Sequence, residues 1–274
     1  MVTWLPKDDA LRSLLAGTAY TLLQLAGSWI AWGLAHGLDR LPSPAAIRLR
    51  RWHAWPLIGQ GLGLALALAF PFALVLAGLF SADDVGIRPV DWPLILPWVL
   101  SVSAVSALWL ALLWGSYWWR RRNLAQAAAW HQVHGRWSEV LFCALYHEGS
   151  SATFRAALIP LIGPYWGIWA AVLGKTLAAQ ANPWTRAKLR RPGQSEDVYL
   201  AWALDWIGAV LYLLSKSAWA ALLGRVLGQA SVWALTHFIL RGPSYRSSLA
   251  TSTNDQGQDD QGHEHGRGED PQAL

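Results

Sequence analysis

Residues 138–162 read Ser-Glu-Val-Leu-Phe-Cys-Ala-Leu-Tyr-His-Glu-Gly-Ser-Ser-Ala-Thr-Phe-Arg-Ala-Ala-Leu-Ile-Pro-Leu-Ile. Their length and apolarity are those of a helix that crosses a bilayer, since about 20 helical residues cover the ~30 Å hydrocarbon core. Two charges, Glu148 and Arg155, break the run. A charged side chain at bilayer depth costs roughly 2.5–3.5 kcal/mol on insertion scales, so it persists where it faces a partner, a water-filled cavity or a site. The stretch therefore predicts both a membrane fold and a polar interior.

Outward from this segment the same kind of run recurs. Spans are expected at about 11–36, 57–80, 93–119, 138–162, 164–182, 198–214 and 218–240. Hydrophobic residues make up 54% of the 274 and charged residues only 14%, against about 25% charged in soluble domains. A large soluble helical core would need more charged outer faces, and a β-barrel would need a period-2 alternation that is missing. The expected fold class is all-α: a polytopic integral membrane helix bundle of about seven transmembrane helices. Three regions are expected: helices one to three with their basic loops (1–137), a core of helices four to seven (138–240), and a disordered polar tail (241–274).

The borders carry their own signals. Pro56, Pro93 and Pro183 stand where spans meet loops, where a missing N–H is harmless. Pro71 and Pro97 are expected to kink their spans or lie near an end, and Pro160 and Pro164 to bracket a tight turn. Many of the 20 tryptophans fall at span–loop borders, as in an aromatic belt. No cleavage-site pattern follows the first apolar run, which is read as a retained span. The single cysteine, Cys143, has no partner within the chain for a disulfide.

Basic residues alternate between loops. Segments 39–56, 120–136 and 183–197 and the tail are rich in Arg and Lys, whereas the intervening segments hold Lys7, Arg12, Arg88 and Lys216. The positive-inside rule then puts the N-terminus outside and the C-terminus in the cytoplasm, in a plasma or inner membrane. His263 and His265 lie in the tail, where a solvated polar segment is a simpler reading than a weak metal site. Neither a cofactor nor a resident metal is expected. The expected partners are the lipid bilayer and another membrane protein or peptide, not nucleic acid.

The embedded polar set is Glu148, Arg155, Lys175, Asp205, Arg225, Gln229 and His237. Glu148 and Arg155 share a helical face about 11 Å apart along the axis, a separation that predicts no direct pair. Arg225 and Gln229 also share a face. An ion-paired core that fixes helix register is the simplest expectation; the alternatives are a catalytic centre and a site for a polar ligand or partner segment. Gly149, Ser150 and Ser151 are small enough to admit a close neighbouring helix. Ser151 stands one turn from His147, which leaves a Ser–His pair open, although no oxyanion element is visible.

Spacing in the second half resembles a known family. Ser150-Ser151-Ala152-Thr153-Phe154-Arg155, followed by Ala156 to Pro160, is similar to a Glu-Glu-x-x-x-Arg motif with its trailing context. Leu177 to Ala181 resembles Phe-x-x-x-His, and Ser217 to Gln229 resembles a Ser-x-Trp motif running on to His-x-x-x-Asn/Asp. These are the motifs of the CPBP family of intramembrane glutamic endopeptidases, which includes the CAAX-processing and bacteriocin-processing proteases. The resemblance implies a CAAX-protease-like core in which Ser150 and Ser151 replace the glutamates, Ala181 and Arg225 replace the histidines, Gln229 replaces the Asn/Asp and Arg155 is kept. None of Ser, Ala or Arg serves as a general base near neutral pH. The implied function is a membrane binding or scaffolding pseudoprotease. Two alternatives are an intramembrane endopeptidase with displaced catalytic residues, drawn from Glu148, His147 and Asp205, and a small anion transporter or carrier.

Overall fold

The computed structural model describes residues 8–40, 54–121, 137–191 and 194–240, and within them every regular element is a helix. In chain order these are α1 (Asp8–Arg40), α2 (Ala54–Leu76), α3 (Ala82–Val85), α4 (Trp92–Arg121), α5 (Trp137–Ala181), α6 (Pro183–Leu189), α7 (Ser195–Ser215) and α8 (Ala218–Leu240). The polar tail with His263 and His265, most of the basic residues of segments 39–56 and 120–136, and Lys7 lie outside the described residues.

Among the described residues, four stretches are long and apolar enough to cross a membrane: Asp9–Gly37, Trp92–Tyr117, Val140–Ala181 and Ser195–Ser215; Gly61–Leu76 is apolar but shorter. The expectation of seven spans is thus matched by length and composition at four stretches. The third of these is double. In α8, Arg225, Gln229 and His237 dilute the apolar run. Pro97 lies in the first turns of α4 and Pro71 in the last turns of α2, so both sit near helix ends as expected.

The helix α5 is a hairpin. Gly163 takes φ 81° and ψ 167°, a conformation that an L side chain rarely adopts, and splits α5 into a 137–162 arm and a 164–181 arm. Pro164 follows directly, so the break falls between the two prolines where the turn was expected. A side chain at Gly167 would meet the Ile159 backbone at 2.6 Å, and Lys175 reaches Ser151. Each of these pairs is equidistant from Gly163, which is the signature of antiparallel arms.

The rest of the bundle packs on this hairpin. α1 and α2 pack on the first arm, α7 and α8 also contact α5, and α4 lies outside against α7 and α8. A Cβ at Gly149 would lie 2.5 Å from the Ala67 carbonyl oxygen of α2, so the expected close helix approach occurs at this glycine. Val99, Ile168, Leu211 and Tyr212 anchor one apolar cluster, and Phe80, Val85, Ala152 and Ala156 a second. Between spans, α3 is held by the Ser81 hydroxyl, which accepts from the Asp83 N–H, and by Gly86 in the left-handed region.

Polarity runs opposite to that of a soluble protein. Arg225 is 1% exposed and Arg155 2%, while Leu76 is 88% and Phe238 81% exposed. Leu108, Trp109 and Leu112 line an outer face of α4, and Leu22, Leu23 and Ile30 one of α1. Charges inside and large apolar side chains outside are the arrangement a bilayer selects.

Candidate functional site

Five buried charges meet at one place. His147, Glu148, Ser151 and Arg155 lie on the first arm of α5, and Lys175 comes from the antiparallel second arm. α7 contributes Asp205 and α8 contributes Arg225. Glu148, Arg155, Lys175, Asp205 and Arg225 are all buried.

Arg155 Nη2 donates to Glu148 Oε1 at 2.5 Å, which corrects the expectation that these two residues are too far apart to pair. The axial separation is as expected, but helical side chains lean toward the N-terminus. The long arginine therefore reaches back along its own face to the carboxylate. Its guanidinium also lies over the Tyr212 ring, 3.9 Å from the centroid, a favourable cation–π arrangement away from water.

Lys175 Nζ donates to three acceptors: the His147 carbonyl at 2.8 Å, Ser151 Oγ at 2.8 Å and Asp205 Oδ1 at 2.6 Å. An ammonium has three N–H groups, and all are used. Ser151 Oγ donates in turn to the His147 carbonyl at 2.8 Å. Asp205 Oδ1 also accepts from Arg225 Nη2. Arg225 Nε stands 3.8 Å from Glu148 Oε2, and His147 Nδ1 stands 4.0 Å from Asp205 Oδ1. One network thus ties both arms of α5 to α7 and α8.

The network is incomplete. Arg155 Nε, Arg225 Nε and Nη1, and Glu148 Oε2 are buried without a hydrogen-bond partner among the described residues. Beside them is a small void bordered by Ser151, Arg155, Asp205, Gly208 and Arg225, on the scale of one water molecule. Gly208 keeps it open. A Cβ there would lie 3.5 Å from Arg225 Nη2 and 3.6 Å from Glu148 Oε2.

The site residues expected from sequence divide into two groups. Ser151, Arg155, Arg225, Glu148, His147 and Asp205 converge. Ser150 is buried on another side of the helix, beside the Tyr20 hydroxyl of α1. Ala181, the last residue of α5, and Gln229 are half-buried and make no hydrogen bond or ion pair with the network. Lys175, which the sequence marks only as an embedded cation, is the hub. Tyr212 and Gly208 were missed. Their signal was spacing, since Asp205, Gly208 and Tyr212 stand at i, i+3 and i+7 on one face of α7.

Among the described residues no group of three or more His, Cys, Asp and Glu side chains is placed to hold a metal ion. Compared with known proteins, the chain matches no family model, no curated protein and no solved structure. The meaning of the centre is to be read from its own chemistry.

Proposed function

We propose that the protein is a non-catalytic integral membrane protein of CPBP-like architecture whose interior charges lock a helix bundle that binds or scaffolds another membrane protein or peptide. One observation carries this reading: all three Lys175 N–H groups are committed to acceptors. A serine nucleophile needs a base with a free lone pair, and Ser151 faces a saturated ammonium and a carbonyl instead. Asp205 is engaged by Lys175 and Arg225, and Glu148 by Arg155. A carboxylate so occupied is poorly placed to activate water.

In this reading α1, α2, α4, the two arms of α5, α7 and α8 make seven passages of a plasma or inner membrane, with the N-terminus outside and the C-terminus in the cytoplasm. The test is proteolysis of fluorogenic prenylated and unmodified peptides by purified protein in liposomes. No cleavage above a protein-free control is expected. Cleavage abolished by Glu148→Ala or Arg225→Ala would replace this reading with the second one.

That second reading, an endopeptidase with displaced residues, is favoured by the place of His147, Glu148 and Asp205 in one buried network, with Asp205 bordering the void. It requires the His147–Asp205 approach to tighten from 4.0 Å to hydrogen-bond distance when substrate enters.

A further inference from the structure

We infer that the void between Arg155 and Arg225 is a binding site for one monatomic anion of the halide class. The inference needs only the charge centre and stands whether or not the protein cleaves peptides.

Charge balance is the first support. Three buried cations, Arg155, Lys175 and Arg225, face two buried carboxylates, Glu148 and Asp205. Arginine keeps its proton in proteins. A neutral Lys175 would lack the third N–H that its three acceptors require. The centre therefore carries one positive charge in excess, and an unmatched charge in low dielectric is costly. A single monovalent anion cancels it.

Unused donors are the second support. Arg155 Nε, Arg225 Nε and Arg225 Nη1 have no acceptor among the described residues, and Arg225 is 1% exposed. Glu148 Oε2 competes weakly for Arg225 Nε from 3.8 Å. Asp205 also borders the void, but its Oδ1 is engaged by Lys175 and by Arg225 Nη2. Size is the third support. The space is on the scale of a single water molecule, which favours a small monatomic anion over a tetrahedral oxyanion.

The experiment uses the full chain purified in detergent micelles in sodium gluconate. Bromide replaces gluconate at constant ionic strength while the melting temperature is followed, with sulfate as a parallel titrant. Bromide is expected to raise the melting temperature saturably and sulfate is not. Gly208→Ala places a methyl at ordinary contact distance from Arg225 and Glu148, so it fills the space while leaving the ion pairs intact. It is expected to weaken half-saturation about tenfold or more, which corresponds to about 1.4 kcal/mol. Arg225→Gln removes the excess charge and is expected to abolish the response; if it does not fold, Gly208→Ala decides alone. Bromide indistinguishable from gluconate, sulfate as effective as bromide, or Gly208→Ala titrating like the wild type would each overturn the inference.

Discussion

Asp205 is the residue on which the centre turns, because two cations from different helices share one of its oxygens. Removing it leaves Lys175 and Arg225 buried together without their common counterion. Breaking a buried pair by removing one partner costs about 3–5 kcal/mol, whereas replacing both partners by apolar groups is often neutral. Asp205→Asn is therefore expected to destabilise by about that amount, and Lys175→Met added to it to restore part of the loss. Thermal or denaturant unfolding in micelles measures both. Strictly additive losses would show that the two residues are not coupled.

A second residue-scale outcome concerns the segment between spans. Asp84 is partly buried in α3, and burial, reinforced by the neighbouring Asp83 carboxylate, raises its carboxyl above the usual range. A group raised in the folded state favours folding most when protonated. Its contribution is therefore complete at low pH, below the unfolded value of about 3.9, and falls as pH rises through the folded value. Asp84→Asn mimics the protonated form. It is expected to match the wild type near pH 3 and to melt higher at pH 7–8. A melting-temperature difference that does not grow with pH would contradict the assignment.

At the scale of elements the α5 hairpin decides the geometry. Its pivot, Gly163, is in the left-handed region, where a Cβ costs roughly 1–2 kcal/mol. Gly163→Ala is expected to lower stability by that much, since no neighbour stands within 4 Å of the added carbon. Gly149→Ala is expected to cost more, about 1–3 kcal/mol, because its methyl would strike the Ala67 carbonyl oxygen at 2.5 Å. The two losses, measured by the same unfolding assay, separate conformational strain from steric conflict. If Gly149→Ala proves the milder change, the close approach of α2 to α5 is not as described.

The hairpin also shows what was legible in advance. Length, apolarity and the prolines Pro160 and Pro164 located both arms and the turn, because these are local properties. Glu148, Arg155, Asp205 and Arg225 announced themselves because a charge in an apolar run is conspicuous at any position. The Glu148–Arg155 contact was misjudged by treating side chains as fixed at their axial rise, when arginine leans back by most of two turns. The hub role of Lys175 was not legible. It depends on how far the second arm folds back, and hence on the single dihedral pair at Gly163. Spacing placed Ser150 and Ser151 together as one motif, but adjacent helical residues point about 100° apart, and only Ser151 enters the network.

On the scale of the whole molecule, the inverted polarity makes orientation testable. The alternation of basic segments predicts that α3 and α6 lie on opposite faces of the membrane. In a Cys143→Ser background, Asp84→Cys is expected to react with an impermeant maleimide in intact cells. Arg190→Cys, exposed at the end of α6, is expected to react only after permeabilisation. The reverse pattern, or labelling of both sites in intact cells, would refute the proposed seven-passage topology.

The distribution of ion pairs among helices has a consequence for how the chain enters its membrane. Glu148 and Arg155 belong to one arm and neutralise each other as soon as that arm is helical. Lys175 has no partner on its own arm; its contacts lie on the first arm and on α7. Asp205 and Arg225 sit on later helices, each with its partners on other helices. On the seven-passage reading the order of pairing follows the order of the chain: Glu148 and Arg155 can pair within the hairpin, whereas Lys175, Asp205 and Arg225 are matched only once α7 and α8 have joined it.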